Sequence, residues 1–186
     1  MPRMHSVRKA RQEDCDAIAR IYNDAIAERR STFETGQRSS ADIREWLGST
    51  GHPVLVAIDG SAVAGWARIS AYSERACYAG IGEASVYVRA AQRGRGIGGA
   101  LASALRREAV RAGFHKLVGK LFLDNDASRR LVARHGFREV GVHRRHGQVD
   151  GNWRDVLLVE LLLGGPNGKA PPAGQSARGA TAPGKP

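Results

Sequence analysis

The sequence predicts an α/β or α+β domain built on one mixed sheet, and three observations predict it. Strand-like and helix-like segments interleave in the order β, α, α, β, β, β, α, β, α, β, β. Residues 83–89 alternate, with Ala84, Val86 and Val88 on one face and Glu83, Ser85 and Tyr87 on the other. Ile97, Leu101, Leu105 and Ala109 recur along a single helical face.

Residues 6–10 are short and basic and read as an edge strand. From Asp14, placed as N-cap, the set Ile18, Ile21, Tyr22, Ala25 and Ile26 predicts a helix to about Arg29. A second helix starts near Ser40 and carries Ile43, Trp46 and Leu47. Residues 54–58 and 62–69 form a strand hairpin turning at Asp59-Gly60. After the alternating strand and a glycine-rich loop, a helix from Ile97 stops at Gly113, and residues 116–122 form a further strand. Asp126 is placed as the cap of a helix that Gly136 ends. Two strands close the chain, at residues 137–146 and 153–162.

At 186 residues the chain suits one domain, residues 1–163. Residues 164–186 contain no large apolar side chain to offset the entropy of ordering, and are expected to be a disordered tail rich in Gly, Pro and Ala. The net charge is +11, and the tail holds three cations (Lys169, Arg178, Lys185) and no acid, which leaves eight surplus charges on the domain. Such a surplus favours anionic partners: a nucleic acid, an anionic membrane surface or a phosphate-bearing cofactor. Cys15 and Cys77 form no CxxC pair and belong to no Cys/His ligand run, so a metal centre and a disulfide framework are not expected, and both read as small apolar residues. Unpaired cysteines fit a reduced, cytoplasmic setting, and no apolar run approaches membrane-spanning length, so no membrane partner is expected.

The chemistry starts at Gln92-Arg93-Gly94-Arg95-Gly96-Ile97-Gly98-Gly99, between the alternating strand and the most clearly amphipathic helix. Residues without side chains let several backbone N–H groups converge, and the helix start adds about half a positive charge there, a cradle suited to pyrophosphate. The Gly-Lys-Ser/Thr of a P-loop is absent, and the glycines do not follow the first strand as in a dinucleotide fold. A glycine-rich turn alone can be a plain strand-to-helix connection; Arg93 and Arg95 within it favour an anion.

Arg93-Gly94-Arg95-Gly96-Ile97-Gly98, preceded by Val86-Tyr87-Val88, resembles the R/Q-x-x-G-x-G/A signature of the GNAT N-acetyltransferase superfamily. A second block, Asn125-Asp126-Ala127-Ser128 continuing to Gly136-Phe137, is similar to that superfamily too. Within it, Ile21-Tyr22-Asn23, Thr32-Phe33-Glu34, residues 82–88 and Gly151-Asn152-Trp153-Arg154-Asp155-Val156 resemble the branch that acetylates phosphinothricin, methionine sulfoximine or arsinothricin. Ala71-Tyr72-Ser73-Glu74-Arg75 before Tyr78, with Val142-His143-Arg144-Arg145-His146-Gly147, looks most like the arsinothricin enzymes.

The resemblance implies a mostly antiparallel sheet that splays beside the strand of Glu83 to admit the pantetheine arm of acetyl-CoA. Backbone groups of Val86 and Val88 would bond that arm, with Tyr87 between them, while the loop from Arg93 to Gly99 holds the pyrophosphate and Asn125 and Ser128 lie near the thioester end and the arm. Direct attack by an amine requires a base to take its proton, and the resemblance implies Glu83 for that task. An isolated Glu at a strand edge is more often a solvated ion-pair partner; the motif around it selects it. The tyrosine that protonates the leaving thiolate in many members aligns with Val132 here, so the general acid is unassigned.

A glutamate-analogue acceptor asks for arginine forks and hydrogen-bonding aromatics. Phe33, Glu34, Arg75 and Tyr78 lie in segments that border the acceptor in the family, and His143 heads a basic cluster that can approach it. Arg75 can equally be a solvated loop charge, and the cluster a solvated strand face. Trp153 is expected in the core or at a subunit contact, and a homodimer is expected. The competing acceptors are a polyamine, an antibiotic or a protein N-terminus. A nucleic-acid-binding module, which the charge would suit, lacks any RNP, KH, zinc-finger or helix-turn-helix pattern.

Overall fold

The computed structural model describes residues 5–164, so the expectation of a disordered tail falls, apart from Gly164, outside the described residues. The elements are β1 (Ser6–Lys9), α1 (Cys15–Glu28), α2 (Ser40–Gly48), β2 (Val54–Asp59), β3 (Ala62–Ala71), β4 (Ile81–Val88), α3 (Ile97–Arg111), β5 (Lys116–Phe122), α4 (Asp126–Arg134), β6 (Arg138–Val149) and β7 (Asn152–Leu162). They follow the order read from the sequence.

The seven strands form one open sheet in the order β1-β2-β3-β4-β5-β7-β6. Every neighbouring pair is antiparallel except β4 with β5, which α3 joins as a crossover. The alternation of apolar residues splits the core in two. Ile18, Ile21 and Ile43 from α1 and α2 pack with Val54, Val56 and Trp66 on one face. Ile97, Leu101 and Leu105 of α3 pack with Leu55, Ala67 and Ile69 on the other. Gly65 lets α3 approach β3: a Cβ there would stand 3.1 Å from Leu101 and 2.7 Å from the Tyr87 carbonyl.

Five local expectations need correction. Asp14 does hold the N-cap position of α1 but makes no side-chain cap bond; its carboxylate instead accepts from the Arg11 backbone N–H at 2.7 Å and from the Arg8 fork at 2.7 and 2.9 Å. The cap of α4 is Asn125, whose Oδ1 accepts from Ser128 N–H at 3.1 Å, and Asp126 is the first helical residue. Asp59 pairs with Ala62, so the β2–β3 turn is Gly60-Ser61. The last hairpin turns at Asp150-Gly151, because β6 carries irregularities that lengthen it to Val149. Cys15 is buried, but Cys77 is exposed on a short 3-10 turn; Trp153 is exposed, as its expected place at a subunit contact requires and its other expected place, the core, does not allow.

Candidate active site at the sheet opening

The pairing of β4 with β5 covers Ile81↔Lys116, Gly82↔Leu117 and Glu83↔Val118, and stops there. Beyond Glu83, β4 stays on β3 as far as Val88, and β5 stays on β7 as far as Phe122. The two strands therefore part, and the β5-facing edge of β4 from Ala84 onward has no strand partner. Two cavities meet at this opening. On the α3/α4 face, a narrow apolar one of about 70 Å³ is lined by Ala84, Val86, Leu121, Ser128, Val132 and His135 among others. On the α1 face, an open polar one of about 520 Å³ is lined by Tyr22, Thr32, Glu83, Ser85, Tyr87 and Lys120 among others. Ala84 and Leu121 belong to both linings, so the opening connects the two faces of the sheet.

At the apolar end, Gly94 and Gly96 have φ of 77° and 85°, with nothing within 4 Å of where a Cβ would stand. Only glycine takes this conformation without strain, and it turns the chain straight into α3, leaving the first N–H groups of that helix without intrahelical acceptors. Gly98 faces Leu131 and Val88, and the Gly99 Cβ position lies 3.4 Å from His135 Nε2, which packs α4 against the start of α3. The donor set lies beside the apolar cavity, whose lining residues Leu131 and His135 touch Gly98 and Gly99, and the two fit a pyrophosphate with a pantetheine arm. Arg93 does not point freely at this cradle: its fork is bidentate to Glu28 at 2.9 and 3.0 Å, and Nε donates to the Val88 carbonyl at 3.2 Å. It staples the loop to α1 and β4. Arg95 is held by the Gln92 side chain at 2.8 Å and lies 3.7 Å from Asp59. Among the described residues Val132 lines the apolar cavity, where the titratable groups are Arg106 and His135. Burial, with Arg106 adding to it, pushes the His135 imidazole below its ordinary pKa, so it is neutral at pH 7.

On the polar side, the Glu83 carboxylate receives the Lys120 ammonium at 2.8 Å, directly at the parting of the strands. Phe33 packs edge-on to Phe122 with ring centroids 4.7 Å apart. Glu34 is held by Arg38 at 2.8 Å. The wall they form, residues 31–35, is pinned by Asn23, which accepts from Arg38 N–H at 2.8 Å and donates to its carbonyl at 2.9 Å. Tyr87 stacks on Trp66, and burial, reinforced by Tyr22, raises its phenol well above the ordinary value, so it is protonated at neutral pH.

The structure thus brings together Glu83, Tyr87, Phe33 and Glu34 at the polar cavity, and Val86 and Ser128 at the apolar one. Asn125 caps α4 and donates weakly to the Arg30 carbonyl at 3.4 Å, joining that helix to the loop after α1. Arg75, Tyr78 and His143 do not line either cavity. Arg75 is exposed ahead of the 3-10 turn, Tyr78 is exposed and packs edge-on to Tyr72, and His143 lies against His146 with ring centroids 4.6 Å apart. His146 takes the cavity position instead. The reason is a bulge in β6: His143 pairs with Val156 and Gly147 with Arg154, so residues 144–146 loop out, with Arg145 at φ 47°. Asp155 holds that bulge through Arg145 N–H and the Arg144 side chain, both at 2.8 Å, and these bonds draw its carboxyl below the usual range. Sequence reasoning also passed over Tyr22, Thr32 and Lys120. For Lys120 the signal was a second cation in an interior strand, four residues after Lys116.

Among the described residues no helix is long and apolar enough to cross a membrane, and no group of three or more His, Cys, Asp or Glu is placed to hold a metal ion.

Comparison with known proteins agrees with this geometry. The chain is 34% identical over 165 residues to the phosphinothricin N-acetyltransferase of Streptomyces coelicolor, covering 84% of this chain and 95% of that one. It is 34% identical over 162 residues to the L-methionine sulfoximine/L-methionine sulfone acetyltransferase of Pseudomonas aeruginosa, covering 85% and 94%. A GNAT superfamily phosphinothricin acetyltransferase from Sinorhizobium meliloti, solved in complex with acetyl-CoA, superposes with a TM-score of 0.85 at 29% identity, over 93% of this chain and 95% of that one. Residues 9–137 match the profile of the acetyltransferase (GNAT) family, and the chain belongs to that family.

Proposed function

We propose that the protein transfers the acetyl group of acetyl-CoA to the α-amine of a glutamate-analogue amino acid of the phosphinothricin, methionine sulfoximine or arsinothricin type. The observation that carries this is the meeting of two unlike cavities at the end of the β4–β5 ladder, one apolar and beside the glycine loop, the other polar and lined by Glu83. The relatives named for phosphinothricin and methionine sulfoximine support the acceptor class.

In this reading the N-terminus of α3 and the loop at Gly94 to Gly99 bind the diphosphate of acetyl-CoA, which supplies the acyl group. The unpaired edge of β4 at Val86 and Val88 bonds the arm and offers an N–H to the oxygen on which charge develops. Glu83 accepts the proton that the ammonium must lose before its lone pair attacks. Lys120 fixes the direction of that carboxylate. Residues 31–35, pinned by Asn23, and His146 wall the acceptor.

We also propose a homodimer in the cytoplasm. The exposed Val140, Val142 and Trp153 on the outer hairpin support the first, and the two free cysteines support the second. Sedimentation at micromolar concentration tests the dimer.

The deciding experiment is CoA release from acetyl-CoA with a panel of amines: the three glutamate analogues, spermidine, and a peptide with a free N-terminus. The glutamate analogues are expected to lead in kcat/KM. A preferred peptide or polyamine would refute the acceptor and leave the family assignment intact.

A further inference from the structure

Most cations around the acceptor cavity are already neutralised. Arg38 is paired with Glu34, Lys120 with Glu83, Arg93 with Glu28 and Arg154 with Asp124. Arg68 is not. Among the described residues it has no carboxylate within ion-pair distance and makes no side-chain hydrogen bond, although it is half-buried. Its guanidinium carbon lies 4.0 Å from the centre of the Trp46 ring. A guanidinium lying over an indole is held in place by the ring while the N–H groups along its edge stay free.

The register fixes where this charge sits. On β3, Trp66, Arg68 and Ser70 stand opposite Tyr87, Ser85 and Glu83 of β4. Directly opposed residues share a sheet face, and Tyr87, Ser85 and Glu83 all line the polar cavity. Burial pushes the guanidinium pKa down, while Tyr22, Tyr87 and Glu83 pull it back up, so these cavity groups lie within its electrostatic reach. On the same face, the indole N–H of the buried Trp66 has no acceptor among the described residues. A buried donor without an acceptor is costly, as at Trp66, whereas the Arg68 N–H groups keep contact with water and are free to bond a ligand. Arg68 and Trp66 do not themselves line the polar cavity, but each stands directly opposite a residue that does, Ser85 and Tyr87, and neither donor finds an acceptor among the described residues.

We propose that Arg68 binds the α-carboxylate of the amino-acid acceptor and thereby sets the enzyme's specificity for it. The inference rests on the acceptor class proposed above. Arg68 and Glu83 are diagonal neighbours across β3 and β4, a relationship that places Cβ atoms roughly 7 Å apart. An α-amino acid carries its carboxylate and its amine on one carbon. With the carboxylate on the Arg68 fork, the amine projects along the same face toward Glu83, which takes its proton.

The test compares phosphinothricin with its α-carboxamide in wild type, Arg68→Gln and Arg68→Lys. Wild type is expected to prefer the carboxylate in kcat/KM by about a hundredfold or more, since a site with a buried fork rejects an uncharged isostere. In Arg68→Gln that preference should fall at least tenfold, through KM for the carboxylate acceptor, with acetyl-CoA affinity and melting temperature unchanged. Arg68→Lys keeps the charge without the planar fork and should fall between the two. Should the Gln variant not fold, the Lys variant carries the comparison. An unchanged preference, or an equal loss on both acceptors as expected of a residue that only packs against Trp46, overturns the role of Arg68. Failure of wild type to acetylate any glutamate analogue refutes the acceptor class, and the anchor with it.

Discussion

The Lys120 ammonium meets the Glu83 carboxylate at 2.8 Å, one strand apart, at the last rung of the β4–β5 ladder. Both groups are partly exposed, so the pair adds little to stability. Its effect is to hold the carboxylate at the opening, where an amine from the polar cavity and an acyl group from the apolar channel would meet. A solvated ion pair and a candidate base are therefore one and the same side chain here.

Glu83→Gln should keep acetyl-CoA affinity and lower kcat by about a hundredfold or more, because the amide keeps size and hydrogen bonding but cannot take a proton. Steady-state kinetics across pH, with calorimetric titration of acetyl-CoA, reads both quantities. An unaltered kcat and pH profile would assign the proton transfer to another group or to water.

Gly96→Val should abolish acetyl-CoA binding in a folded protein. At φ 85° a branched residue is strained, and the side chain would enter the open space in front of the helix start. Circular dichroism checks the fold and calorimetry the affinity. Retained micromolar affinity would place the diphosphate elsewhere.

Much of this architecture was legible because each element announces itself locally. The alternation at residues 83–89 gave the two-sided strand, and both cavities use it as read: Ala84 and Val86 on the apolar side, Glu83, Ser85 and Tyr87 on the polar side. What was not legible depends on register. His146 lines the polar cavity and His143 does not, because a bulge held by Asp155 loops out residues 144–146, and strict alternation cannot reveal that. Lys120 meets Glu83 only because a parallel crossover sets Glu83 opposite Val118. Asn125 displaced Asp126 as a cap because both residue types suit the position and the choice lies in one backbone angle.

Asp14 makes an acid-dependent contribution to stability. Burial alone would raise its carboxyl, but the Arg8 fork and the Arg11 N–H outweigh that and hold it below the usual range. With the folded-state pKa depressed, the contribution is complete above the unfolded value of about 3.9 and is lost as pH falls through the lower folded-state value. Asp14→Asn should cost about 2 kcal/mol near neutrality, the worth of hydrogen bonds to a charged group. Melting curves should show the gap between variant and wild type closing below about pH 4. A gap independent of pH would mean that packing, not charge, accounts for the loss.

The acceptor wall should be sensitive at Gly147, a residue with no chemistry of its own. A Cβ there would stand 2.7 Å from Cε1 and 2.9 Å from Cζ of Phe33, closer than non-bonded carbons approach. Phe33 packs edge-on to Phe122 and lines the open cavity, into which the ring can swing to relieve the clash. Gly147→Ala should therefore reshape the acceptor pocket at a stability cost of about 1 kcal/mol, the low end for an overpacked site whose neighbour can yield. The expected signature is a KM for the amine acceptor raised by about tenfold, the effect of one displaced pocket contact, with the affinity for acetyl-CoA unchanged. Gly141→Ala on the same strand is the control, since its Cβ would meet nothing within 4 Å and should alter neither constant. An unchanged acceptor KM in Gly147→Ala would mean that Phe33 closes the fold without touching the substrate.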